Sequence, residues 1–162
     1  GLVLPFGPLR ENINSLKNAN IILINGRKNS AFENKILKIN KNLKIFYSHY
    51  KPLNINQFKN KKLLAIAGIG NPNNFFQLLK TNDLDVKKEL IFPDHYEFTK
   101  TEIENIVEEA MINKLHIIMT EKDYFKIKNF NINKIEYLKI SLEIIKQAEF
   151  IETINEIYDK KN

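Results

Sequence analysis

The sequence predicts an α/β fold, a mainly parallel sheet with flanking helices. Three observations carry this. Short apolar runs of strand length recur, as in Ile21-Ile22-Leu23-Ile24, Lys62–Ile69 and Leu115–Met119. Segments with apolar residues at helical spacing stand between them. Each apolar run ends in glycine, asparagine or another polar cluster, so strand gives way to turn and turn to helix, the order that builds α/β layers.

The elements follow in order. Gly1 to Glu11 is punctuated by Pro5, Gly7 and Pro8 and reads as a loop. Asn12–Asn18 suits a short helix. Ile21–Ile24 is a buried strand stopped by Asn25-Gly26, and Phe32–Ile39 is a helical turn or two. Leu43–Tyr50 is a strand ended by Pro52, and Ile55–Phe58 suits another short strand. Lys62–Ile69 is a buried strand running into Gly68-Ile69-Gly70-Asn71-Pro72, where Asn71 can cap a helix and Pro72 sits at its first position. Phe75, Phe76, Leu78 and Leu79 give that helix its apolar face. Val86–Phe92 is the next strand, followed by Pro93-Asp94-His95. Thr99 and Glu102 form a capping box for a helix whose inner face carries Ile103, Ile106, Val107, Ala110 and Met111. Leu115–Met119 is a buried strand and Thr120 caps a helix from Glu121. Tyr137–Ile144 is expected as the last strand and Lys146–Tyr158 as an amphipathic closing helix. The partition expected is a hinge and smaller-lobe segment over 1–59 and an α/β domain over 60–162.

Composition narrows the class. The chain has 162 residues, of which 43% are hydrophobic, enough for a core that buries about 70% of the unfolded surface. It has no cysteine, which excludes disulfides, a thiol nucleophile and cysteine metal sites. The formal charge is +6, which favours anionic partners. The lysines are scattered among asparagines and isoleucines, however, as an AT-rich genome writes a surface. No recognition motif or aromatic–basic interleaving points to nucleic acid. No apolar run reaches the length of a membrane span, and no signal peptide is expected. A start at Gly1-Leu2-Val3-Leu4 reads as a cut through a longer protein.

Ligands of open α/β sheets sit outside the carboxyl ends of strands. Three polar clusters fall there. Gly68, Gly70 and Asn71 can bring backbone N–H groups to a phosphate, or simply form a tight strand-to-helix turn. Asp94 and His95 can handle protons or a cation, or form a capped turn beside an exposed histidine. Because neighbours on a strand point to opposite sides, the two are not expected to form a dyad with each other. Thr120, Lys122 and Asp123 can bind an anion, or be a cap and a solvated charged turn. Arg10 and Glu11 can offer a guanidinium to phosphate, or form a surface ion pair. His49 reads as a strand-surface residue and His116 as structural. Three isolated histidines give no metal-ligand spacing.

Four motifs in order resemble the tetraacyldisaccharide 4′-kinases, the lipid A kinases. They are Leu4-Pro5-Phe6-Gly7-Pro8-Leu9-Arg10-Glu11, Ala65-Ile66-Ala67-Gly68-Ile69-Gly70-Asn71-Pro72, Phe92-Pro93-Asp94-His95-Tyr96, and Thr120-Glu121-Lys122-Asp123. The resemblance implies the C-terminal part of a P-loop NTPase-like kinase with a second lobe. Such a kinase moves the γ-phosphoryl of ATP, with Mg2+, to the 4′-hydroxyl of a tetraacyldisaccharide 1-phosphate. It implies that His95, with Asp94 beside it, assists an aspartate of an upstream motif, and that the upstream Walker A loop holds ATP and Mg2+. The partners implied are the lipid A disaccharide precursor and the missing N-terminal half, with peripheral contact at the cytoplasmic face of the bacterial inner membrane. The fragment is then inactive alone. Departures from the family pattern are Phe6 for alanine, Asn20 for an acidic residue and Met119 for threonine. The other reading is a stand-alone, non-catalytic module for a phosphate-bearing ligand.

Overall fold

The computed structural model describes residues 11–160. The chain divides into two compact units. One comprises residues up to Lys51 together with those from Leu142 onward; the other is Pro52–Ser141. The sequence-based cut at residue 59 falls just inside the second unit, and the closing helix belongs with the first.

The first unit carries strands β1 (Ile21–Asn25) and β2 (Lys44–Pro52), helix α1 (Ser30–Ile39) and, returning from the far end of the chain, β7 (Ile140–Ile144) and α5 (Gln147–Asp159). Its sheet has the order β1-β2-β7. β1 and β2 are parallel, with Ile21 opposite Lys44 and Asn25 opposite Ser48. Asn29 caps α1 by accepting the Phe32 N–H at 3.0 Å. Asn12–Asn18 proves to be a 3-10 helix over Ile13–Asn18. Asn40 ties it to α1 by donating to the carbonyls of Leu16 at 3.1 Å and Ala19 at 2.8 Å. α5 returns because Phe150 meets Phe46 edge-on, with ring centres 5.1 Å apart.

The second unit is β3 (Lys62–Ala67), α2 (Pro72–Thr81), β4 (Asp85–Ile91), α3 (Lys100–Ile112), β5 (His116–Thr120), α4 (Glu121–Ile127) and β6 (Ile135–Leu138). The strands are parallel throughout, in the order β4-β3-β5-β6. The unbroken apolar run of β3 is explained by its central place. Leu63, Ala65 and Ala67 face one side with Phe75, Phe76 and Leu79 of α2. Leu64 and Ile66 face the other, with Ile103 and Ala110 of α3. A strand covered on both faces needs apolar side chains at every position, not at alternate ones. The capping box of α3 is formed in full: Glu102 N–H donates to Thr99 Oγ1 and Thr99 N–H to Glu102 Oε2. Thr99→Ala should therefore lower stability by about 1 kcal/mol, read as an earlier urea midpoint.

Two expected strands are corrected. Ile55–Phe58 is a 3-10 helix. Its Gln57 N–H donates to the Asn54 carbonyl at 3.1 Å, and the Asn54 amide donates to the Gln57 side chain at 3.1 Å; such local polar bonding competes with a ladder. Tyr137–Ile144 is two strands in two sheets, split at Lys139. There the backbone is taken by other partners: Lys139 N–H donates to Asn54 Oδ1 at 2.8 Å and Leu53 N–H donates to the Lys139 carbonyl at 2.9 Å.

Candidate functional site

The three polar clusters meet at the carboxyl edge of the second unit's sheet. Phe92 N–H continues the β3–β4 ladder by donating to the Ala67 carbonyl at 2.9 Å, so both chains leave the sheet together. Both glycines lie close against side chains of this edge. A Cβ on Gly68 would stand 3.2 Å from Asp123 Oδ1 and 3.4 Å from Phe92 Cβ; one on Gly70 would stand 3.2 Å from Asp94 Oδ2. Asn71 occupies the N-cap position of α2 and Pro72 its first turn, yet the Asn71 side chain makes no capping hydrogen bond.

Asp94 and His95 lie in a turn beyond β4, and this corrects the expectation that they point apart. His95 adopts a left-handed φ of 61°, so strand alternation no longer applies. Its N–H donates to Asp94 Oδ1 at 3.0 Å, and its Nε2 lies 3.8 Å from Asp94 Oδ2. Lys122 Nζ donates to Asp94 Oδ1 at 3.2 Å. Asp94 is thereby held below the ordinary carboxylate range, first by the Lys122 hydrogen bond and then by the positive charge of Lys122 and the His95 contacts, against some desolvation. The sign follows: a depressed pKa keeps the pair intact as pH falls past the usual carboxylate range and breaks it only lower. A side-chain carbon NMR titration of Asp94 should give a midpoint under 3.8, the ordinary value, and Lys122→Ala should move it up. His95 projects into solvent, its side chain 78% exposed.

Behind this edge sits a buried carboxylate that the sequence reading took for a solvated turn or an anion site. Asp123 is fully buried. Its Oδ2 accepts the Gly68 N–H at 2.8 Å and the Thr120 hydroxyl at 2.7 Å, and its Oδ1 accepts Lys126 Nζ at 2.8 Å. Lys126 also donates to the Tyr96 carbonyl at 3.2 Å. The Tyr96 hydroxyl donates to Glu102 at 2.5 Å; this bond raises the tyrosine pKa and, with the Thr99 donors, lowers that of Glu102. Phe92, Tyr96 and Phe98 stack with centroids 4.9–5.1 Å apart and give the turn an apolar backing. Lys126 and Tyr96 were not singled out in the sequence. The available signal was Thr120-x-x-Asp123, a cap pattern three residues apart, with Lys126 one helical turn further on.

The geometry also limits what this edge can hold. Gly68 N–H is already bound to a carboxylate, Asp94 and Asp123 stand against the two glycines, and Lys122 is the cation beside Asp94. Among the described residues no group of three His, Cys, Asp or Glu side chains could hold a metal ion, so these residues alone do not fit Mg2+. Arg10 lies outside the described residues. Glu11 is exposed and belongs to the first unit. His49 is exposed on β2, as expected; His116 opens β5 and is also exposed.

Residues 1–159 match the family model described as LpxK: Tetraacyldisaccharide-1-P 4'-kinase. The tetraacyldisaccharide 4'-kinase of Pelagibacter ubique (strain HTCC1062) is 40% identical over 163 residues, covering 99% of this chain and 52% of that protein. That of Bartonella quintana (strain Toulouse) is 35% identical over 136 residues, covering 83% of this chain and 39% of that protein. The crystal structure of an "apo" form LpxK from Aquifex aeolicus in complex with ATP aligns with a TM-score of 0.58 at 21% identity, over 96% of this chain and 48% of that one. This likeness shows that the two share a fold. The chain spans about half the length of the curated relatives it matches. By the extent of the family match and by these relatives, the chain belongs to the tetraacyldisaccharide-1-P 4'-kinase family.

Proposed function

We propose that the chain is the C-terminal part of a kinase that phosphorylates the 4′-hydroxyl of a tetraacyldisaccharide 1-phosphate in lipid A biosynthesis, and that it is inactive alone. The observation that carries this reading is the Asp94–His95 turn, anchored by Lys122 at the carboxyl edge of the sheet, in a chain of this family. ATP with Mg2+, held by the part of the enzyme outside this chain, supplies the phosphoryl group. Such transfer needs positioning and charge neutralisation more than covalent help from the protein. In this chain Asp94 fixes the His95 backbone and faces its Nε2. The exposed imidazole is then free to take up a proton through an aspartate brought by the other half. Lys122 holds Asp94 ionised, and Asp123 holds the Gly68 turn against which both sit. No helix among the described residues is long and apolar enough to cross a membrane, and contact with the inner membrane is read as peripheral.

The test is complementation. The chain alone should transfer no phosphate from labelled ATP to the tetraacyldisaccharide 1-phosphate. Joined to the N-terminal half of a family member, it should do so. A joined enzyme without turnover sinks the kinase reading; turnover by the chain alone sinks the claim of dependence.

A further inference from the structure

The position of the His95 ring is set by its backbone. Among the described residues its only ion-pair partner is Asp94, a neighbour in the same turn, 3.8 Å from Nε2. That turn runs from Pro93 to Tyr96 and is closed by the Tyr96 N–H, which donates to the Pro93 carbonyl at 3.2 Å. Within it His95 has a φ of 61°, a left-handed angle that a residue other than glycine keeps only where its surroundings hold it. What holds this turn therefore decides where the imidazole stands.

Two lysines of α4 reach the turn. In front, Lys122 donates to Asp94 at 3.2 Å, with side chains 47% and 44% exposed; an ion pair so open to water contributes little. Behind, Lys126 Nζ donates to the Tyr96 carbonyl at 3.2 Å and to Asp123 Oδ1 at 2.8 Å. Here the side chains are 24% and 0% exposed, and a pair so sheltered is far less screened. The ammonium also stands 5.9 Å from the centre of the Phe98 ring, within cation–π reach. Lys126 lies three residues past Asp123, so one face of α4 presents both. Asp123 is itself fixed by the Gly68 N–H beyond β3 and by the Thr120 hydroxyl at the end of β5. One buried carboxylate and one ammonium thus join two strand ends to the residue that follows His95. The rear contact, and not the frontal ion pair, is the stronger tether.

We propose that Lys126 is a positioning residue: by clasping Asp123 and the Tyr96 carbonyl it fixes the turn that presents His95. Its effect on turnover rests on the kinase reading; its hold on the turn does not. The hold is tested by amide nitrogen relaxation on the 162-residue chain. In the parent, the His95 and Tyr96 amides should have order parameters of about 0.85, the rigid-backbone value, and in Lys126→Met they should fall to about 0.6 or below. Methionine keeps an apolar stem against Phe98 and drops the ammonium. In the joined kinase the same variant should lower kcat about tenfold, the cost of a small misplacement of a reacting group, with KM changed less than about twofold. With His95→Ala already present, Lys126→Met should lower kcat less than about twofold further, because a residue that acts through another is silent once that other is gone. A loss of stability alone would slow both backgrounds alike. Where Lys126→Met melts early, Asp123→Asn with Lys126→Met leaves no unpaired buried carboxylate and is compared with Asp123→Asn in the same measurements. Unchanged order parameters would overturn the proposal, as would an unchanged kcat in an active joined enzyme or a tenfold loss repeated in the His95→Ala background. A joined parent without turnover would defeat the kinase reading and leave the relaxation measurement to decide the hold on the turn.

Discussion

Alanine at His95 should lower kcat of the joined kinase by about a hundredfold, with KM changed less than about twofold. Proton transfer by a positioned side chain contributes about 10²–10⁴ in rate, and a hundredfold equals about 2.7 kcal/mol of barrier. The lower end is expected because, in the proposed role, His95 acts through an aspartate and not on the hydroxyl itself. The split between kcat and KM follows from exposure. A side chain 78% exposed at the rim of a turn contributes little packing, so its loss is felt when the proton moves and not when substrate binds. His95→Gln keeps the size and a hydrogen-bonding end but no titrating ring, and should be nearly as slow. An unchanged kcat removes His95 from the mechanism.

Alanine at Asp123 should cost about 3 kcal/mol of stability, the largest loss expected from any single change at this edge. The carboxylate is fully buried and receives a backbone N–H, a hydroxyl and an ammonium. Removing one partner of a buried ion pair costs about 3–5 kcal/mol, because the other is left uncompensated. Lys126 keeps some access to water, its side chain 24% exposed, which sets the expectation at the lower end. Against a total of about 5–15 kcal/mol for a domain, the shift in the urea midpoint should be plain. Asp123→Asn keeps acceptors for Gly68 and Thr120 and should lose less. If the lysine contact matters as described, Lys126→Met combined with Asp123→Ala should lose less than the two single losses added together. A midpoint within about 0.5 kcal/mol of the parent would show Asp123 to be dispensable.

Much of the second unit was legible. β3, β5, α2 and α3 are strongly patterned elements, and on α3 Thr99 and Glu102 form the box their spacing announces. The meeting of three strand ends was also legible, since parallel strands bring their carboxyl ends to one edge. What escaped was set by partners distant in sequence. Nothing near Lys139 marks a break, because the break comes from Asn54 and Leu53. Asp123 looks like any acidic residue in the first turn of a helix until Gly68 is placed beside it. The His95 backbone angle, which turns two neighbours toward each other, is fixed by a contact to its own predecessor and carries no sequence signature beyond the turn itself.

The bond from Leu53 N–H to the Lys139 carbonyl, at 2.9 Å, bears on how the chain is assembled. The second unit leaves at the end of β2 and comes back at the start of β7, which are neighbours in the first unit's sheet. Its entry and exit are clasped within its own boundaries, so once it has folded they are held together. The entropy of closing an unstructured loop, which grows with its length, is then met by the folding of the insert itself. To β2 and β7, the whole of Pro52–Ser141 behaves as a tight turn would. Where the inserted unit is already folded, pairing β2 with β7 closes no long unstructured loop.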